Sequence, residues 1–475
     1  MTDAPLILWI RRDLRLSDHP ALAAAAAGGR AVIPVFVLDE VVEGYGAAPK
    51  WRIGEGIAAH ARALDGIGSR LILRRGRALE VLRALVAETG AGAVWWQRAH
   101  DPEARARDTA VKAALKAEGI EARSFPGALL FEPWEVRTGQ GGVYRVYTPF
   151  WSAVKRRAVA PPEPRPKALR PPQVWPASDR LEDWALGAAM GRGGAVVARY
   201  ARVGEAAALD RLRSFLDARI AGYEAGRDVP ARDATSGLSG NLAWGEIGPR
   251  TIWHGALRAQ HEGAPGAERF LKELVWREFA AQIMHQFPGL AQKDWRAGRE
   301  GFPWRGESRD LERWRRGMTG EPMVDAAMRE LYATGRIHNR ARMIAASYLT
   351  RHLLTDWRLG RAWFEDCLTD WDPASNAMGW QWVAGTGPDA APWFRVFNPA
   401  AQGDRFDADH AYRRRWIAEG QARPPQTALD VFEACPRSWA LRAGQEYPAP
   451  VISLKEGRAR ALAAHAARRG RQEAN

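Results

Sequence analysis

The first part of the chain alternates two hydrophobic rhythms. Leu6 to Ile10, Ala31 to Leu38, Leu71 to Leu73, Ala93 to Gln97 and Ala122 to Phe125 are short apolar runs, the second rich in valine. Between them lie stretches with helical spacing: Pro20 to Ala27, Trp51 to Gly66, Ala78 to Thr89 and Glu103 to Glu118. Strands alternating with helices predict a parallel sheet covered on both faces, a Rossmann-like α/β domain. From about Tyr200 the strand rhythm is lost. Glu205 to Ala221, Glu268 to Gln286, Pro322 to Thr334, Asn339 to Leu354 and Leu359 to Leu368 predict long helices, so this part is expected to be all-α. Pro161 to Pro176 is crowded with prolines and basic residues and predicts a surface connection. The basic, alanine-rich tail after Ile452 predicts one exposed helix. The expected division is 1–130 for the α/β domain, 131–200 for the connection and 201–475 for the helical domain.

Composition sharpens this picture in a few places. At 475 residues the chain is too long for one ordinary domain. No apolar run is long enough to cross a bilayer; Ala21 to Ala27 is an alanine stretch closed by Pro20 and Gly28. Met1 to Pro5 has no basic segment leading into an apolar one, so no signal peptide is expected. The two cysteines, Cys367 and Cys435, have no CxxC spacing; this excludes a cysteine-built zinc site and suits a reducing cytoplasm. A net charge of +14 favours polyanions, nucleic acid first. Twenty-two tryptophans exceed what cores need. Each alone is most simply a core filler, yet indole also offers a stacking surface and an oxidisable ring.

Four segments carry candidate chemistry. Tyr223 to Asp228 and Thr235 to Ser239 end one helix and open another; glycines beside small hydroxyls could wrap a phosphate, or simply cap the helix. Glu273, Trp276 and Arg277 share a helical face, which suits a flat polar base; a solvated, salt-bridged face accounts for them equally well. In His338 to Met343, two basic groups and an amide at a helix start suit an anionic or amide-rich ligand, although His338 alone reads as structural. The densest stretch runs from Asp370 to Trp382 and resumes at Pro392 to Pro399. Asp370 and Asp372 have no neighbouring histidine or third acid, so no metal is expected, and ribityl hydroxyls with the N–H edge of a flavin are better partners. No GxGxxG follows the first strand and no GxxxxGK[ST] loop exists, which argues against a conventional dinucleotide site and an ATP-driven enzyme.

Taken in order, these segments resemble the photolyase/cryptochrome family over nearly the whole chain. The resemblance rests on Trp9 to Asp18, His338 to Met343, Asp370 to Trp382, Arg395 to Pro399 and Tyr447 to Ile452. It implies an α/β antenna domain followed by an all-helical domain that holds one reduced FAD, folded into a U. By that resemblance, Tyr223, Thr235, Ser236, Leu238 and Ser239 hold the phosphate arm. Arg342, Asp370 and Asp372 contact the isoalloxazine and ribityl part, and Asn376 faces flavin N5. Glu273, Trp276, Asn339, Met343 and Trp382 match a lesion pocket; Arg277 is grouped with them, and Arg227 and Gln402 match positions near the DNA backbone. Trp380, Trp357 and Trp304 match a tryptophan chain for flavin photoreduction. The implied activity is repair of cyclobutane pyrimidine dimers in UV-damaged DNA: one photoexcited electron passes to a flipped-out dimer, the ring opens and the electron returns.

Departures from the family pattern bear on the subgroup. Gly240 stands where a proline usually follows Thr-Ser-x-Leu-Ser, and Glu321 where a tyrosine usually precedes Pro322. Asp372 to Asn376 is closer to the plant-cryptochrome-like, class III bacterial photolyases. That subgroup implies methenyltetrahydrofolate as antenna, ahead of deazaflavin or FMN. A (6-4) photolyase would carry a histidine pair where Asn339 and Met343 stand, and a cryptochrome sensor often carries a long C-terminal extension. A cytoplasmic monomer without an obligate protein partner completes the expectation.

Overall fold

Every residue of β1 (Leu6–Ile10) and of β2 (Val32–Leu38) is buried. Continuous apolar runs of this kind are what strands covered on both faces require. β3 (Ile72–Arg75), β4 (Ala93–Gln97) and β5 (Glu121–Phe125) complete a parallel sheet in the order β3-β2-β1-β4-β5. Successive side chains feed two cores. Leu6, Leu8 and Ile10 join Phe36 and Leu38 on one face; Ile7 and Trp9 join Ile33, Val35 and Val37 on the other. This is the expected α/β domain. β3 runs on to Arg75 because Arg74 and Arg75 pair with Val37 and Leu38. The computed structural model describes residues 4–296, 302–389 and 396–473.

The loop after β1 takes charge into the interior. Arg11, Asp13, Arg15, Asp18 and His19 are all buried. Arg15 donates to the carbonyls of Asp18, Gly127 and Gly245, Arg11 donates to both oxygens of Asp108, and His19 lies 3.0 Å from Asp13. Burial by itself raises the Asp13 carboxyl, but the hydrogen bond and charge of His19 and the charge of Arg11 outweigh it and hold the group at about 2. Buried charge is tolerated here because it is paired.

The chain divides into two compact units, interleaved in sequence. The first takes Met1–Ala189, Arg202–Glu224 and Thr235–Pro288; the second takes Met190–Ala201, Ala225–Ala234 and Gly289–Asn475. Besides the sheet, the first unit holds the helices Glu205–Ala218, Pro249–His261 and Ala267–Gln286. The second is helical, and its Pro322–Thr334 helix is buried almost all round. Inside it Arg329 grips Glu419 through two parallel bonds of 2.6 and 2.8 Å.

Two expectations need correction. The helix expected over Asn339 to Leu354 is regular only over Asn339–Ser347 and continues as a π-helical turn, Tyr348–His352. Thr350 donates its hydroxyl to the Ala346 carbonyl there, competing with the regular ladder. The tail does form a helix, Leu454–Glu473, but it is not simply exposed. Ala461, Ala464 and His465 are buried, and a side chain at Gly457 would strike His352. Small residues at 457, 461 and 464 make a narrow docking stripe that carries little hydrophobic signal in the sequence. Residues 161–176 contain no regular element, as expected. Among the described residues no helix is long and apolar enough to cross a membrane.

Candidate functional site

In the first unit, the candidate phosphate loop is shaped by one glycine and one arginine. Gly237 has φ +59°, and a Cβ there would collide with the Arg211 guanidinium. Arg211 donates from Nε to the Ser236 carbonyl at 2.6 Å. Thr235 and Ser236 are half-buried, Leu238 is buried, and Ser239 is exposed at the start of the Ser239–Ala243 helix. Tyr223 is buried edge-on against Phe215 and Phe270, with ring centroids 5.7 and 5.4 Å away. Arg211 was not singled out from the sequence. It is one arginine on an ordinary amphipathic helix, and its link to Ser236 is tertiary.

The Ala267–Gln286 helix presents Glu273, Trp276 and Arg277, each half-buried. Glu273 pairs with Arg269 at 3.3 Å, one turn earlier. Trp276 stacks face to face on Tyr147, with centroids 3.7 Å apart and planes 8° from parallel. Arg277 is committed to the Ala128 carbonyl at 2.6 Å. Beside it Glu278 is buried and accepts from the backbone of Leu130 and Phe131; burial pushes its carboxyl up to about 7.

In the second unit, His338 caps the Asn339–Ser347 helix by accepting from the Arg340 backbone at 3.1 Å. Burial lowers the imidazole to about 4, so the ring is neutral. Asn339 is exposed, with Met343 one turn on. Arg340 bridges to Asp228 at 2.8 Å and lies over Phe406, as does Arg405. Arg227 and Gln402 are half-buried.

The densest motif separates its two acids. Asp372 caps the Pro373–Ala384 helix by accepting from Ser375 at 2.7 Å. Asp370 has Arg342 at 3.6 Å on one oxygen, while its Oδ1 is buried and accepts from no donor among the described residues. Asn376 is alike: its Nδ2 donates to the Arg361 carbonyl at 3.1 Å, which leaves a buried, unpartnered Oδ1. Two buried acceptors without donors fit a ligand that brings N–H groups, as a flavin ring edge does. No three acidic, histidine or cysteine side chains gather to hold a metal among the described residues.

Trp380, 3% exposed, is caged by Phe364 at 4.9 Å and Trp314 at 6.0 Å, both edge-on. Trp357 is fully buried and donates to Asp294 at 3.0 Å. Trp304 and Trp382 are half-buried, and Trp304 rests on Phe302 at 4.3 Å. Trp314 was missed in the sequence, where it looks like any core residue of a short helix. Pro392 to Arg395 lie outside the described residues.

Comparisons with known proteins agree along the length of the chain. A model described as DNA photolyase matches residues 6–168, and one described as the FAD binding domain of DNA photolyase matches residues 270–467. A deoxyribodipyrimidine photo-lyase of Agrobacterium fabrum is 45% identical, across 98% of this chain and 98% of that protein. One of Escherichia coli is 35% identical, across 98% and 99%. Among solved structures, a bacterial class III photolyase from Agrobacterium tumefaciens is 43% identical with a TM-score of 0.90, covering 99% of this chain and 98% of that one. A Synechocystis cryptochrome is 26% identical with a TM-score of 0.83, covering 98% and 100%. With the sheet, the helical unit and relatives matched end to end, the chain belongs to the DNA photolyase family.

Proposed function

We propose that this protein is a light-driven lyase that splits cyclobutane pyrimidine dimers in DNA. The observation that carries the reading is the 45% identity, across 98% of both chains, to a deoxyribodipyrimidine photo-lyase. FAD is the cofactor, in keeping with the FAD-binding match over residues 270–467. Bound and reduced, it supplies one electron on illumination and takes it back, so there is no net redox change. The remaining work falls to the side chains. Tyr223, Thr235, Ser236, Leu238 and Ser239 frame the phosphate arm. Arg342, Asp370, Asp372 and Asn376 hold the ring and ribityl part. A buried acceptor without a donor costs about 1–3 kcal/mol, and ring N–H groups relieve that cost at Asp370 and Asn376.

Glu273 hydrogen-bonds the dimer and steadies negative charge developing on it. Trp276, Asn339, Met343 and Trp382 receive the flipped pair. Arg227 and Gln402 lie along the DNA backbone, and Arg277, already tied to Ala128, adds charge nearby. The excess of basic residues supplies salt-dependent affinity without sequence preference. Trp380, Trp357 and Trp304 would relay an electron from an external donor toward bound, oxidised flavin. A methenyltetrahydrofolate antenna, a monomeric state and a cytoplasmic site belong to the same reading; the similarity to a class III photolyase structure supports the subgroup.

The test is repair of a duplex carrying one thymine dimer, with fully reduced flavin. Dimers disappear under blue light and persist in the dark, and a (6-4) substrate is left intact. Dimers that survive blue light would end the reading and favour a sensor. The absorption spectrum of the extracted chromophores identifies FAD and the antenna together.

A further inference from the structure

The Tyr147–Trp276 stack is more regular than core packing demands. Centroids 3.7 Å apart and planes 8° from parallel put one indole face in full contact with the phenol ring. Most aromatic pairs among the described residues are tilted or edge-on; around Trp276, Phe279 takes that role at 5.7 Å and 80°. Phe279 also meets Tyr147 edge-on at 5.9 Å. The phenol is held in its own plane as well, because Tyr147 donates its hydroxyl to the Lys272 carbonyl, one turn before Trp276. Burial, with the Glu273 charge second, raises the phenol above its ordinary value, so the donor proton stays in place. Tyr147 is 7% exposed, whereas Trp276 is half-buried. One partner is therefore fixed and hidden, and the other keeps open surface.

We propose that Tyr147 is a positioning residue for Trp276: it clamps the indole in the one orientation that stacks on an extruded pyrimidine pair. This rests on the dimer-repair reading above. A half-buried tryptophan on a helix would otherwise sample several rotamers, and a ligand would have to freeze them on binding. A parallel ring beneath the indole removes that cost in advance. Tyr147 makes no contact with DNA in this scheme and acts only through Trp276.

The experiment uses full-length, FAD-loaded protein and a labelled duplex with or without one thymine dimer. Tyr147→Leu removes the stack; Tyr147→Phe keeps it and drops only the hydroxyl. Tyr147→Leu is expected to weaken binding of the dimer duplex by about two- to tenfold, from the cost of immobilising one side chain on binding. Binding of the undamaged duplex and flavin content stay at wild-type level, and Tyr147→Phe restores most of the discrimination. In a Trp276→Leu background, Tyr147→Leu adds nothing. An unchanged damaged-to-undamaged ratio in Tyr147→Leu overturns the proposal, as does a full additional loss in the Trp276→Leu background. If Trp276→Leu itself leaves dimer binding intact, the lesion role of this helix face falls, and the proposal with it.

Discussion

Gly360→Ala puts the packing around Trp380 to a quantitative test, because two known effects oppose each other there. Gly360 lies inside the Trp357–Cys367 helix. In an open helix the change to alanine gains about 1 kcal/mol. Here a Cβ would fall well within contact distance of two Trp380 ring atoms and lie 2.7 Å from the Leu349 side chain. Carbon atoms rest about 3.5–4.0 Å apart, so the overlap approaches or exceeds an ångström. The indole has little room to retreat: Trp380 is 3% exposed, and Phe364 and Trp314 close its sides. Trp314 is itself pinned by a 3.0 Å bond to the Ala345 carbonyl. Overpacking of a core costs about 1–3 kcal/mol and occasionally more. With overlap this deep the upper end applies, leaving a net loss of about 2 kcal/mol after the helix gain. Chemical denaturation reads that loss directly. A second readout is the rate at which oxidised flavin is photoreduced by an external donor, which should fall as the displaced indole loses its place. If Gly360→Ala is as stable as wild type or more so, helix propensity has won and the cage around Trp380 is looser than its distances say.

Two further predictions follow from other parts of the molecule. Gly237→Ala forces a side chain into the left-handed region, at about 1–2 kcal/mol, and displaces the Arg211 guanidinium; titration of apoprotein with FAD should show affinity down at least about tenfold with helical content unchanged, and an unchanged affinity refutes the phosphate role of the loop. Glu278, raised from 4.5 to about 7 by burial, binds a proton more readily folded than unfolded, so its contribution is full below about pH 4.5 and is lost as pH rises through about 7; Glu278→Gln should gain on the order of 3 kcal/mol over wild type at pH 8 and little at pH 4.5, and a gain independent of pH sinks the argument.

The strands were legible because β1, β2 and β4 are buried along their whole length and read as short apolar runs set between helical stretches. β1 and β4 lie where their apolar runs lie, and β2 and β5 differ by a single residue at the start. Helix ends were less legible. The helix expected from Trp51 begins at Ala47, because Pro49 sits in its first turn, where its missing N–H does no harm. Glu40–Glu43, capped by Asp39, is too short to show a period. The Tyr147–Val154 helix escaped because it follows the glycine-rich Gly139 to Gly142, which reads as loop. With it went the partner of Trp276. Arg211 and Trp314 escaped for a related reason: each acts on a residue 25 or more positions away, beyond any local pattern.

What the sequence concealed at the candidate site is the difference between polar groups that are spent and groups that are not. Asp370 and Asp372 carry equal weight as letters two positions apart. In the fold, Asp372 satisfies a backbone N–H that the first turn of its helix would otherwise leave bare, a use that any helical protein would have for it. Asp370 has no such use for its Oδ1, and neither has Asn376 for its own. On the other helix face, Arg277 is tied down by the Ala128 carbonyl and half-buried Glu273 pairs with Arg269 at 3.3 Å. Folding alone gives no reason to keep a buried acceptor unpaired, since water or an apolar residue would serve stability better. Gln282 Oε1 is also a buried acceptor without a donor among the described residues, so an unspent atom alone does not mark a ligand; at Asp370 and Asn376 two such atoms coincide with the densest motif, and that coincidence supports a bound partner there.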